Sequence, residues 1–202
     1  MFNQCPLENI SPEPPDTSMS VPKNPEPGKL FLSILSAKWH LFWPGLLDSL
    51  ENKFGKSDYL QGPIPFNETS YYDQELDTPI SRRILTFKSL VRLDSLAALK
   101  IITNDLEQSH LEKDKRLFNL DPGIITLERL VLATGKNFTH RIYLTGGIWA
   151  DLTLIFSRGD WQALDWTFPD YSSEKIIKHL RIIRTRYHRQ LASKDYQLWP
   201  EA

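Results

Sequence analysis

The stretch HRIYLTGGIWADLT (His140–Thr153) gathers a histidine, an arginine and an aspartate around a Gly-Gly pair. With Gly146-Gly147 as a two-residue hairpin turn, Thr145 faces Ile148, Ile142 faces Asp151 and His140 faces Thr153. In that register His140, Asp151 and Thr153 share one face. Asp151 then lies diagonal to His140, within reach of a long side chain. Arg141 falls on the other face with Tyr143, Ala150 and Leu152. A carboxylate beside an imidazole is the start of a hydrolytic site, so His140 and Asp151 form the candidate catalytic pair. The same pair also describes a half-buried histidine satisfied by one neighbour, and no nucleophile or metal motif accompanies it. A slip of one residue in the register would move every side chain to the other face.

Further candidates flank the hairpin. In Asp121-Pro122-Gly123 the proline presets φ and the glycine accepts a positive φ, which predicts a turn leaving a strand. Asp121 would then stand at a strand's carboxyl end, where open α/β layers tend to place ligands. The spacing predicts a helix over Leu127–Thr134, capped by Thr126 and ended by Gly135. Lys136 follows its C-terminus, where a cation offsets the helix dipole. Such a helix is ~12 Å long at 1.5 Å per residue, which separates Lys136 from Asp121. Asp165, Trp166 and Thr167 lie at the end of a predicted strand, and Asp170 reads as the N-cap of the helix that follows. The candidate ligand-binding set is therefore Asp121, Lys136, Arg141, Thr153, Asp165, Trp166 and Thr167.

Other chemistries leave no trace in the sequence. Neither G-x-x-x-x-G-K-[ST] nor G-x-G-x-x-G occurs, and no G-x-S-x-G is present. The histidines and carboxylates have no metal-ligand spacing. The single cysteine rules out an internal disulfide and a thiolate zinc site. A net charge of −1 on 202 residues excludes only a strongly cationic nucleic-acid binder. No apolar run approaches the ~20 residues of a membrane span, and the N-terminus lacks a secretory pattern. A cytoplasmic, membrane-free protein is expected.

The elements that must hold these residues begin after residue 28. Residues 1–28 contain seven of the 14 prolines and no apolar periodicity, so a disordered extension is expected. One domain is expected over 29–192, with a C-terminal tail over 193–202. "KLFLSILS" (29–36) is apolar on nearly both faces, as a central strand is. A helix over 41–54, a strand around Tyr59, a long connection over 62–79 and a strand over 80–91 follow. Next come a helix from Ser95 to about His110, N-capped by Asp94, and a strand over 116–120. This β-α-β-β-α-β order is the ferredoxin-like arrangement. The hairpin (140–144 with 148–156), a strand near 161–164 and a long helix over 173–192 complete a single α+β domain with a mostly antiparallel sheet. The last helix carries Lys178, Arg181, Arg186 and Arg189 on one arc. That arc is either a solvated face or a surface for RNA or a protein partner.

"NLDPGIITLERLVLATGKNFTHRIYL", "GGIWADLTLIF" and "WTFPDY" resemble an uncharacterised bacterial family, domain of unknown function 4416. The resemblance runs in order from Lys29 to about Gln190, and the Pro-rich extension departs from it. It implies a family and brings no function with it. Some members carry a GTP-binding label, but this chain has neither a P-loop nor a guanine-reading motif. The function expected is the binding of a phosphorylated metabolite or nucleotide. An RNA- or protein-interaction module and a His-Asp hydrolase stand as alternatives, and the sequence names neither a cofactor nor an oligomeric state.

Overall fold

A computed structural model describes residues 21–200. The predicted extension thus lies outside the described residues for 1–20; residues 21–27 are irregular, and all but Pro27 are exposed. The elements in chain order are β1 (Gly28–Ser36), α1 (Trp39–Phe42), α2 (Gly45–Phe54), β2 (Ser57–Pro65), α3 (Asp73–Leu76), β3 (Ser81–Val91), α4 (Leu96–Gln108), β4 (Leu111–Glu112), β5 (Lys115–Arg116), β6 (Asn119–Ile125), β7 (Arg129–Thr134), β8 (Arg141–Thr145), β9 (Ile148–Ser157), β10 (Asp160–Ala163) and α5 (Glu174–Ser193). The fold is α+β with an antiparallel sheet in one compact domain.

Eight strands form the main sheet in the order β10-β9-β7-β6-β1-β3-β2, with β8 also pairing β9. Every residue of β1 is buried, because the sheet is covered on both sides at its centre. Leu30, Leu32 and Ile34 face one layer, together with Leu46 and Leu50 of α2 and Leu96 and Leu99 of α4. Phe31 faces the other layer, where Ile176, Ile177, Leu180 and Ile183 of α5 pack. The helix predicted over 41–54 is broken at Pro44, which has no N–H to continue the α1 ladder; α2 restarts after it. Gly55, at φ 89°, ends α2. Ser95 rather than Asp94 precedes α4, and Asp94 pairs with Arg92 instead.

Two expectations fail between 116 and 134. Asp121-Pro122-Gly123 is not a turn but the middle of β6, paired along its length with β1. The segment predicted as the helix 127–134 is strand β7, so Thr126 caps no helix and sits in the turn between β6 and β7. In β7, Leu130 packs on the α5 side while Val131 and Ala133 meet the α2–α4 side. A short apolar run covered on both faces satisfies helical and strand periods alike. Arg116 belongs to the small β4–β5 hairpin, and the main sheet resumes only at Asn119.

Beyond α5 the chain returns to the sheet. Leu90 N–H donates to Gln197 O at 2.9 Å, the Leu90 carbonyl accepts from Trp199 N–H at 2.7 Å, and the Trp199 indole is buried against Phe54. At the same end, the buried Lys29 ammonium donates to Asp58 at 2.8 Å, Phe87 O at 2.7 Å and Gln190 at 2.5 Å. Burial pushes its pKa down, and Asp58 pulls it back.

One irregularity of the sheet decides where a site can form. β6 pairs with β1 from Asn119 to Ile125, but with β7 only through Gly123, Ile124 and Ile125. From Pro122 back to Asn119 the two strands part, leaving a fork. Pro122 suits the fork, since it has no N–H to satisfy. The backbone of Leu120 is completed from α4: its N–H donates to Glu107 Oε1 at 2.5 Å, and its carbonyl accepts from Lys100 Nζ at 2.7 Å.

Candidate functional site

The fork opens into a cavity of about 620 Å³ between the sheet and the segment joining β2 to β3. α5 covers only part of its side of the sheet. Beyond the start of that helix the sheet presents Arg82 of β3, Asp121 of β6, Leu132 of β7 and Asp151 of β9. Phe66, Tyr71 and Tyr72 cover them from above, with Phe168 at the rim. Through the fork, α4 contributes Lys100, Asn104 and Glu107.

Except for Lys136, each cation that lines the cavity has a carboxylate beside it. Arg82 donates from Nη2 to Asp170, and its guanidinium lies over the rings of Phe66 and Tyr171, at 5.1 and 4.8 Å from their centroids. Arg116 binds Glu75 through Nε and Nη2 at 2.5 and 2.7 Å, and Glu107 through Nη1 at 2.7 Å. Arg141 Nε donates to Asp151 Oδ2 at 2.8 Å, and its Nη1 to Lys136 O at 2.9 Å. Asp121 accepts from Asn119 at 2.7 Å and lies 3.7 Å from Lys100 Nζ. Among the described residues, Nε and Nη1 of Arg82, whose side chain is 3% exposed, are donors left without partners in this buried setting.

Burial also shifts the titrating groups. It raises the Tyr171 and Tyr72 hydroxyls well above the usual phenol range, reinforced in both by the negative charge of Asp121. Arg116, hydrogen-bonded to Glu75, holds that carboxyl below the ordinary range. Glu107 goes the other way: burial raises it from the ordinary 4.5, and Lys100, the Leu120 N–H and Arg116 only partly offset that. A carboxyl raised by folding contributes its stability below the unfolded value and loses it as pH climbs through the folded one. Melting temperature should therefore carry a declining component that starts near pH 4.5 and runs upward. Glu107→Gln cannot ionise and should remove that component alone; an unchanged slope in the variant would show that Glu107 does not cause it.

Four residues picked out from the sequence line this cavity: Asp121, Lys136, Arg141 and Asp151. Because 127–134 is a strand, no helix separates Lys136 from Asp121. Arg141 is not on the far face of the hairpin. Thr145 does face Ile148, but a bulge between Tyr143 and Thr145 shifts the register, so Arg141 rather than Ile142 pairs with Asp151. His140 thus precedes β8 instead of facing Thr153. Its Nε2 still reaches Asp151 Oδ2, at 3.2 Å, while its ring stacks on Trp166 with centroids 4.9 Å apart.

The remaining candidates brace this arrangement from behind. Thr153 Oγ1 donates to Asp151 O at 3.1 Å, Thr167 Oγ1 donates to Thr153 O at 2.6 Å, and the Trp166 indole donates to Leu152 O at 2.8 Å. Asp165 is exposed on the turn after β10. On the basic arc of α5, Arg181 is bound by Asp160 and Glu174. Arg186 donates to Asp58 O and covers the Tyr59 ring. Lys178 and Arg189 are exposed.

Sequence reasoning missed Arg82, Lys100, Glu107, Arg116 and Asp170. Asp170 does not cap α5 through its side chain; Ser173 occupies the N-cap, and the Asp170 carboxylate serves Arg82. A signal existed for three of them. Arg82 stands at an inward position of an apolar strand, and Lys100, Thr103 and Glu107 recur at helical spacing beside the inward leucines of α4. Charges in such places are buried, and buried charges need partners.

Among the described residues, no group of three or more His, Cys, Asp or Glu side chains could hold a metal ion, and no helix is long and apolar enough to cross a membrane. Neither the curated proteins nor the solved structures contain a match to this chain. The family model described as "Domain of unknown function (DUF4416)" matches residues 26–187, spanning the forked sheet, the cavity and most of α5, and the chain belongs to that family.

Proposed function

We propose that this protein binds a small phosphorylated molecule in the forked-sheet cavity, with the phosphate held by Gly135, Lys136 and Arg141. The observation that carries the reading is the state of Lys136. Among the described residues it has no carboxylate within ion-pairing distance; its ammonium meets the hydroxyl and ring of Tyr71. Arg141 lies beside it with Nη2 free of hydrogen bonds among the described residues, since Nε and Nη1 are already engaged. Gly135 has open space where a Cβ would stand, so a ligand can approach the backbone there. A lysine point charge and an arginine fork are together suited to phosphate oxygens. The cavity volume falls in the ~300–1,000 Å³ range of small-molecule pockets.

A thermal-shift panel of nucleotides and sugar phosphates tests this. A ligand at ~100 times its dissociation constant should stabilise the protein by about 2.7 kcal/mol. Lys136→Met should remove most of that response with little change in the melting temperature of the free protein, because Lys136 is exposed and its ammonium contacts only the exposed Tyr71 among the described residues. If no phosphorylated compound shifts melting, the reading fails.

A further inference from the structure

We infer that the ligand's other end is a neutral polyol, so that the molecule is a sugar phosphate or a related hydroxylated phosphate ester. This rests on the phosphate reading above and adds to it the inner wall of the cavity. There, Asp121 offers a carboxylate whose Oδ2 accepts from Asn119 and whose Oδ1, among the described residues, has only Lys100, at 3.7 Å, beyond hydrogen-bond range. Lys100 Nζ gives one bond to Leu120 O and has two further hydrogens. Asn104 follows Lys100 by one helical turn and makes no side-chain hydrogen bond among the described residues. The Tyr72 hydroxyl sits near enough to Asp121 to feel its charge.

These groups discriminate by charge. A second anionic group on the ligand would be repelled by Asp121, and a cationic group would be repelled by Lys100. A hydroxyl meets neither objection, because it donates to a carboxylate and accepts from an ammonium or an amide at once. Two adjacent hydroxyls would use Asp121, Lys100 and Asn104 together. The deeper Arg82, buried with Nε and Nη1 unpartnered, adds unsatisfied donors to the same wall.

Calorimetric titration with two phosphate esters separates the ends: ribose 5-phosphate, which carries hydroxyls, and n-butyl phosphate, which does not. Ribose 5-phosphate should bind at least about tenfold more tightly, since a site built for hydroxyls rejects an analogue that leaves its polar groups unpaired. Asp121→Ala should erase that advantage, and Asn104→Ala should reduce it at a second half-buried position. Lys136→Met should weaken both esters by the same factor. Equal affinity for the two esters, both weakened by Lys136→Met, would overturn the polyol end and keep the phosphate end. An advantage that survives both Asp121→Ala and Asn104→Ala would overturn the residues assigned. Binding of neither ester would remove both proposals together.

Discussion

Arg82→Met is expected to cost about 3–5 kcal/mol of folding stability, because it leaves the Asp170 carboxylate buried without its cation. The two side chains are 3% and 10% exposed, so water cannot take the place of the missing partner. Loss of the flat guanidinium between Phe66 and Tyr171 would add to the cost. The sign of the pair's net contribution is a separate matter. Replacing both charges by apolar groups of similar size is often neutral or stabilising, so Arg82→Met with Asp170→Leu should be markedly more stable than Arg82→Met alone. Urea unfolding of the single and double variants measures both quantities. A single-variant loss below about 1 kcal/mol, the scale of an ordinary substitution, would mean that Asp170 finds another partner or takes up a proton.

Gly123→Ala is expected to destabilise by about 1–3 kcal/mol, the usual range for forcing a methyl into a packed site. A Cβ on Gly123 would lie 2.8 Å from Val131 O and 2.7 Å from the Leu132 side chain. Leucine can turn away, but the carbonyl belongs to β7 and cannot move without disturbing the last pairs before the fork. Against this stands a gain of about 0.4–1 kcal/mol from restricting the unfolded chain, which is too small to reverse the sign. The same variant should weaken binding of any cavity ligand, because β7 carries Leu132 in the floor and leads directly into Gly135 and Lys136. Urea unfolding checks the first effect. A variant as stable as the parent would show that β6 and β7 separate freely at this point.

Gly123 also explains where the sequence was legible and where it was not. β1, β3, β9 and α5 follow from patterns that are complete within one segment: an apolar run, an alternation, or a stripe at helical spacing. The Gly-Gly turn was equally plain, because it is set by two adjacent residues. Asp-Pro-Gly has the composition of a turn, yet here the proline marks the strand position that needs no N–H and the glycine marks close approach by β7. Neither need exists until β7 is in place. The segment after it, LERLVLAT, fits both periods, and only its burial on two sides decides for a strand. The register of the hairpin was misread by one residue because a bulge leaves no mark in the sequence. Asp121 and Lys136 were visible as polar residues at the ends of predicted elements, and Arg141 and Asp151 as polar positions of a predicted hairpin. Arg82 and the α4 residues that line the cavity with them lie 14 to 69 positions away along the chain, and no local spacing links them.

The fork has a mechanical consequence for the cavity it creates. β2, β3, β1 and β6 form one panel, and β7, β9, β8 and β10 another; along the strands, three residues of β6 and three of β7 make the seam between them. α4 lies across both panels: it packs on β6, β7 and β9, and two of its side chains hold the free backbone of Leu120. The gap is thus wedged at a width set by a thirteen-residue helix rather than by the register of a ladder. The inner wall of the site is part of that wedge. Lys100 is already tied to Leu120 and Asp121 to Asn119, so a molecule docking against them would meet side chains held in place, and less of its binding free energy would go to ordering them.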